Sequence, residues 1–299
     1  MKLFVTGICG RLGSAIAMEA SSQAHTVVGL DQAPWSDSRG AVPPGIEIVN
    51  GSYEDFPLVK RLLQGCDAVL HTAGFHGSHV EKVDLAGFLR ANVESVGRLL
   101  ELALQAGARS VALSSTMEIQ LGRDWTTSGM AIVDEESPAK CDSAYSISRL
   151  LVEHLGREFA RNHPVSIASL RYMCFGYQPD KTLGPQLLAR SLSVRDVARA
   201  VIRAATMGGL KGEVFNIGPE TPLTNQDIIA AMRKPEAVLE RYFPGATEVL
   251  KAAGFELHST HFWPATSIRK AQLILGWAPQ YTFETCLREH GWRGKRVYR

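Results

Sequence analysis

No run of roughly eighteen consecutive apolar residues occurs in the chain, so a membrane-crossing helix is not expected. Cysteine is sparse and unpaired in pattern: Cys9, Cys66, Cys141, Cys174 and Cys286 are odd in number, scattered, and include no CxxC. That excludes a disulfide framework or a cysteine-based zinc site and suits a reducing compartment. Charge of one sign is missing too, with 32 Lys+Arg against 30 Asp+Glu and no concentrated basic run. Neither a nucleic-acid face nor a membrane surface is implied, and the expected partner is a small molecule. The chain lacks internal repeats and low-complexity tracts. It opens directly on a strand pattern rather than on a charged n-region and apolar h-region, so a cytoplasmic location is expected. At 299 residues it is long enough for one large domain and a smaller lobe, each with its own core.

What is present begins at once. An apolar run, Leu3-Phe4-Val5, leads into Thr6-Gly7-Ile8-Cys9-Gly10-Arg11-Leu12-Gly13 and then into the helix-forming stretch Ser14 to Ala20. A second apolar run, Thr26 to Leu30, ends in Asp31, eighteen residues beyond Gly13. This is a βαβ unit with a glycine turn and a spaced acid. Gly7 permits the tight turn, Gly10 the close approach of backbone N–H groups to a pyrophosphate, and Gly13 close helix–strand packing. The diphosphate would rest on the helix N-terminus, where unpaired amides and the dipole favour anions. Asp31 would accept hydrogen bonds from the adenosine ribose and repel a 2′-phosphate, so NAD is expected in preference to NADP.

Beyond Asp31, a Pro/Ser/Gly-rich loop over 32–45 precedes a strand at Ile46-Glu47-Ile48-Val49. A helix is predicted near Phe56 to Leu63, a strand at Ala68 to His71 and a long helix from Leu85 to Ala106. Next come a strand at Val111 to Leu113, a helix at Ala144 to Asn162 and a strand at Val165 to Leu170. Strands alternating with helices predict an α/β fold with a doubly wound parallel sheet, its ligands beyond the carboxyl ends of the strands.

The informative residues fall at those ends: His71-Thr72-Ala73-Gly74, Ser114-Ser115-Thr116, and Tyr145 with Arg149 four residues on. With Asn92-Val93, Leu170-Arg171-Tyr172, Val194 to Ala200, Val214 to Gly218 and Leu275-Gly276-Trp277-Ala278-Pro279, their order resembles the extended short-chain dehydrogenase/reductases, the NAD-dependent epimerase/dehydratase family. The resemblance covers most of the chain. It implies a Rossmann domain over 1–174 and 192–218, and a smaller substrate-binding lobe over 175–191 and 219–299. It also implies a homodimer, formed by packing the helices Leu85 to Ala106 and Ala144 to Asn162 across a two-fold axis.

By the same resemblance Tyr145 is the acid/base, Thr116 polarises the substrate oxygen, with Ser115 the alternative if the register slips, and Arg149 supplies the cation. A tyrosine near its reference pKa of about 10 is a weak base at neutral pH, so a neighbouring cation has to favour its phenolate. Positions i and i+4 share a helix face, so Tyr145 and Arg149 can address one cofactor. The family has Lys at that place, and Arg is bulkier and prefers planar bidentate partners. Cofactor contacts are expected from the turn residues Gly7, Cys9, Gly10, Arg11, Leu12 and Gly13, and from Asp31. Further contacts are expected from Ser52, Tyr53, Thr72, Ala73, Gly74, Asn92, Ser114, Tyr145, Arg149 and Tyr172. Ser52 stands where the family usually has an Asp for the adenine amino group. Substrate contacts are expected from His76, Ser115, Thr116, Tyr145, Met173 and Cys174.

Cys174 replaces an Asn that reaches the sugar nucleotide in relatives, and the segment Tyr177 to Ser191 is short, as in uronate dehydrogenases. A small free molecule is therefore expected as substrate, with Arg190, Arg195 and Lys181 available for a carboxylate. The pairs His76/His79 and His258/His261 have metal-like spacing, but loop histidines are usually just polar, and no metal is expected. Three functions follow: an oxidoreductase on a secondary alcohol or ketone, an epimerase or dehydratase that recycles NAD, and an NAD-binding sensor or scaffold whose turnover Arg149 has impaired.

Overall fold

The computed structural model describes residues 1–122, 132–175 and 180–297. In chain order the first half runs β1 (Lys2–Thr6), α1 (Arg11–Ser22), β2 (Thr26–Asp31), β3 (Ile46–Asn50), α2 (Phe56–Leu62) and β4 (Ala68–His71). It continues with α3 (Leu85–Phe88), α4 (Ser95–Gln105), β5 (Ser110–Thr116), α5 (Glu118–Leu121), β6 (Ile132–Val133) and α6 (Ala144–Asn162). The second half runs β7 (Ser166–Tyr172), β8 (Cys174–Phe175), α7 (Asp180–Gln186), β9 (Ser191–Leu192), α8 (Val194–Thr206) and β10 (Lys211–Ile217). Short helices follow, α9 (Asn225–Ala231), α10 (Pro235–Tyr242) and α11 (Ala246–Ala252), then β11 (Ala265–Thr266) and α12 (Phe283–Glu289).

Seven strands form one parallel sheet in the order β10-β7-β5-β4-β1-β2-β3. The order reverses between β1 and β4, where Thr6 pairs with His71; ligands of doubly wound sheets bind beyond the strand tips at such a switch point. This is the doubly wound α/β fold expected. Its central strands β4, β5 and β7 are buried along their whole length, covered on both faces by helices.

One apolar cluster lies on the α1 and α8 side, around Ile16, Leu70 and Val201. A second lies on the α2, α4 and α6 side, around Phe4, Leu99 and Val152. A third joins Leu187 and Leu188 to Leu239, Phe243, Phe262 and Phe283. Buried Asp196 on α8 accepts N–H bonds from Gln280 and Tyr281, while Trp277 Nε1 donates to its carbonyl. The C-terminal segment is thereby tied to the sheet's helix layer.

One expected element differs. The helix predicted from Leu85 to Ala106 has a π-helical middle, Leu89–Glu94, between α3 and α4. The wider turn carries Asn92, which is buried and bonded to its neighbours across the site. Such π-bulges interrupt the 3.6-residue period locally, and apolar periodicity does not register them.

Candidate active site

The glycine turn is shaped by what a side chain would strike. Gly7 has φ +74°, and a Cβ there would lie 2.9 Å from both Ala73 N and Thr72 Oγ1. A Cβ on Gly13 would lie 2.0 Å from the Gly7 carbonyl oxygen, so only glycine lets α1 sit this close to the turn. No side chain caps the N-terminus of α1 and no acid stands in its first turn. Arg11 and Leu12 open that helix. At the end of β2, Asp31 Oδ2 accepts the Cys9 N–H at 2.8 Å and Oδ1 accepts the Ala33 N–H at 2.9 Å. Thr72 donates its hydroxyl to the Thr6 carbonyl at 2.7 Å, holding the Thr72-Ala73-Gly74 backbone against the turn.

Tyr145 owes its place to a cap. Ser143 accepts the Ser146 N–H at 3.1 Å and Ser146 returns a bond, which sets the start of α6 so that Tyr145 falls in its first turn. Thr116 ends β5 and accepts the Glu118 N–H at 3.2 Å. One helical turn beyond Tyr145, buried Arg149 donates from Nη1 to the Ser114 carbonyl at 3.1 Å and from Nη2 to the Phe75 carbonyl at 3.3 Å. Its guanidinium carbon lies 5.6 Å from the Tyr145 ring centre. Burial pushes the Tyr145 phenol up; the charge of Arg149 and hydrogen bonds from Thr116 and Arg149 pull it back, while Glu118 raises it. Tyr145, Thr116 and Arg149 thus lie together at the ends of β5 and α6.

Other expected residues are held by structural bonds. Ser52 accepts the Glu54 N–H in a turn, and Tyr53 donates its hydroxyl to the Ala91 carbonyl. Asn92 brackets Phe75, accepting its N–H and donating to its carbonyl, each at 2.9 Å. Ser114 pairs with the Tyr172 hydroxyl at 3.3 Å. Met173 is buried and Cys174 exposed, both just past the end of β7.

Ser115 is directed elsewhere. Its hydroxyl donates at 2.5 Å to Glu153, which also receives Arg171 Nη2 at 2.7 Å, all three being buried. Successive side chains alternate across a strand, so the residue between Ser114 and Thr116 faces α6. The histidine pairs have a local role: the His76 N–H meets His79 Nδ1 at 3.2 Å and the His258 N–H meets His261 Nδ1 at 3.1 Å, each closing a 3-10 turn. Among the described residues no cluster of three or more metal-ligating side chains is found. Tyr177 lies outside the described residues, as does the side chain of Lys181.

Sequence reading missed Glu118. Gly77 brings the loop after β4 between this carboxylate and Tyr145: its Cβ position is 3.1 Å from Glu118 Oε1 and 3.8 Å from Tyr145 Cδ1. The available signal was an acid two residues beyond Thr116, at the start of a four-residue helix.

The model of the NAD dependent epimerase/dehydratase family matches residues 3–182. The chain belongs to that family. It is an enzyme of the family, and its cofactor is NAD. The dTDP-glucose 4,6-dehydratase of Streptomyces antibioticus is 27% identical over 315 residues, spanning 95% of this chain and 89% of that one. Among solved structures, the dTDP-glucose 4,6-dehydratase DesIV of Streptomyces venezuelae, a double mutant with NAD bound, superposes with TM-score 0.67 at 21% identity over 98% of this chain and 96% of that one. A mutated uronate dehydrogenase superposes with TM-score 0.68 at 23% identity, over 99% and 87%. Those likenesses concern the fold.

The residues present fit NAD. Glycines leave the cradle open, the α1 N-terminus is uncapped by any side chain, and Arg149 Nε is buried with no acceptor among the described residues. No helix among the described residues is long and apolar enough to cross a membrane.

Proposed function

We propose that the chain is an oxidoreductase acting on a secondary alcohol or ketone of a small polar molecule. The observation that carries this reading is the convergence of Tyr145, Thr116 and Arg149 beside the glycine turn. In the oxidising direction Thr116 orients the substrate oxygen and Tyr145 takes its proton. Arg149 places a positive charge beside the phenol and favours its ionised form. NAD, when bound, supplies the hydride acceptor. The segments 1–174 and 192–218 hold the cofactor, and 175–191 and 219–299 form the lobe that receives substrate.

The substrate we favour is a free hydroxy acid such as a sugar acid. Arg195 is exposed and Arg190 half-buried near the start of α8, the segment before them is short, and the uronate dehydrogenase fold is shared. The five free thiols suit a cytoplasmic location. A second reading has NAD recycled in an epimerase or dehydratase. Glu118 beside Tyr145 favours it, because a second proton-transfer group is what elimination next to a newly oxidised carbon requires, as does the full-length likeness to the Streptomyces antibioticus dehydratase.

The test follows NADH absorbance across a panel of uronates, other hydroxy acids and sugar nucleotides. Net NADH formation with a free acid is expected; product without net NADH selects the second reading. Tyr145→Phe should lower turnover by about 10²-fold or more while NAD affinity stays within about threefold. Arg149→Lys should also lower turnover, since one ammonium cannot span the Ser114 and Phe75 carbonyls. Undiminished activity in Tyr145→Phe would refute the assigned chemistry.

A further inference from the structure

A cavity of about 610 Å³ lies between α7, α8, α12 and the residues after α11. That falls within the roughly 300–1,000 Å³ of small-molecule sites. None of its walls is Tyr145, Thr116, Arg149 or a residue of the glycine turn. It stands on the α8 side of the sheet, whereas Tyr145 comes from α6 on the other. The lining joins an apolar part, Leu183, Phe255 and Cys286, to two cations at a four-residue step of α8, Arg195 and Arg199. Gly184 lets α7 lie against the apolar part, since its Cβ would be 2.9 Å from Phe255 Cζ and 3.1 Å from Cys286 Sγ.

The charges around this cavity do not cancel. Arg199 pairs with buried Asp196 and lies 4.0 Å from Glu19, while the Tyr281 hydroxyl donates to Glu289 at 2.7 Å. Arg195 is exposed and makes no ion pair among the described residues. Cys286 stands beside His290, but Nδ1 of that imidazole donates to the Cys286 carbonyl at 2.8 Å and burial pushes the thiol up to about 11. A thiol held neutral in this way is no nucleophile, so the cavity is built to bind rather than to react.

We propose that this cavity is a second small-molecule site, which takes a monoanion with an aromatic or branched apolar body. Its carboxylate meets the arginines of α8, whose planar donors suit a two-oxygen acceptor, and its body rests on Leu183, Phe255 and Cys286. Such a site is independent of the chemistry at Tyr145. Because Arg195 is also available to a substrate acid, the experiment has to separate the two roles.

Calorimetric titration of the full chain with 4-phenylbutyrate and with its neutral counterpart 4-phenylbutanol does so. The acid should bind with a Kd below about 1 mM and about tenfold or more tighter than the alcohol, and the difference should shrink with added salt, because Arg195 is exposed. Arg195→Ala should remove most of that tenfold and Arg195→Lys should keep part of it. Ala253→Phe, which fills the cavity from its wall, should abolish binding. Saturating NAD, or glucuronate at about 20 mM, should change the Kd of the acid by less than about threefold. Displacement by either would make the cavity part of the catalytic cleft and overturn the second site. So would equal binding of acid and alcohol, binding untouched by Arg195→Ala or Ala253→Phe, or no binding up to about 10 mM. NADH formation from uronates is a separate readout, and its absence would leave this site standing.

Discussion

A buried imidazole has few ways to satisfy two ring nitrogens. His71, at the end of β4, uses Nδ1 with the Thr6 hydroxyl at 2.8 Å, while Nε2 is buried without a partner among the described residues. The Tyr53 ring meets it edge-on at 5.3 Å. A proton on this ring would be stranded in the sheet and repelled by Arg149, so its pKa falls to about 3. His261, buried near His258 and Arg190, falls to about 4. In the unfolded chain both titrate near the reference value of about 6.5. Below that pH the unfolded state binds protons that the folded state refuses. Stability is therefore fully present above it and is lost as pH falls toward 4 for His261 and 3 for His71, by at most about 1.4 kcal/mol per pH unit for each. Urea unfolding at about pH 7.5 and 5.5 should show the lower midpoint in acid, and His71→Asn should shrink the difference. Equal midpoints for the wild type would contradict the assignment.

At the scale of elements, the site depends on how closely α1 and α6 approach the sheet. Gly13 touches the turn so tightly that Gly13→Ala must push α1 away from β1, at an expected cost of about 1–3 kcal/mol and with loss of NAD binding. Thermal melts with and without NAD check this: the variant should melt lower and gain nothing from the cofactor. Normal NAD stabilisation of Gly13→Ala would mean that the cradle tolerates a side chain. Helix α6 is seated by different means. Tyr145, Arg149 and Glu153 follow one another at four-residue steps, and each meets the sheet through a polar contact rather than by apolar packing alone. The Glu153–Arg171 pair, with Ser115 as a third member, is buried between α6 and β7. A register slip of α6 would leave that ion pair uncompensated, a state disfavoured by about 3–5 kcal/mol, so the pair favours the position that brings Tyr145 to Thr116.

At the scale of the whole molecule, Ile147 and Leu151 lie one turn apart on the solvent side of α6, 37% and 41% exposed, and Leu85 is 47% exposed. Those side chains suit a second copy of the chain, and the homodimer we infer pairs α4 and α6 across a two-fold axis. Light scattering at micromolar concentration should give twice the chain mass, and Leu151→Asp should give monomer with NAD affinity within about threefold of wild type. A wild-type monomer under those conditions would remove the dimer.

The βαβ unit, the alternation of strands with helices and the polar residues at the tips of β4 and β5 were legible from residue order. Glycine spacing, apolar runs and the Tyr145–Arg149 step are local patterns, and local sterics decide them. Which face each hydroxyl of Ser114-Ser115-Thr116 takes, and that Ser115 serves Glu153, is decided by β5 lying between β4 and β7 under α6. The π-helical turn that carries Asn92 came likewise from packing. Glu118 and the Arg171–Glu153 pair were also beyond residue order. Their partners are distant in sequence or set by a loop's path, and a contact between residues 18 or more positions apart leaves no periodicity to read. The sequence by itself determined the fold and the dinucleotide turn. Only the tertiary structure decided which charges stand around them, because electrostatic neighbours are fixed by distance in space.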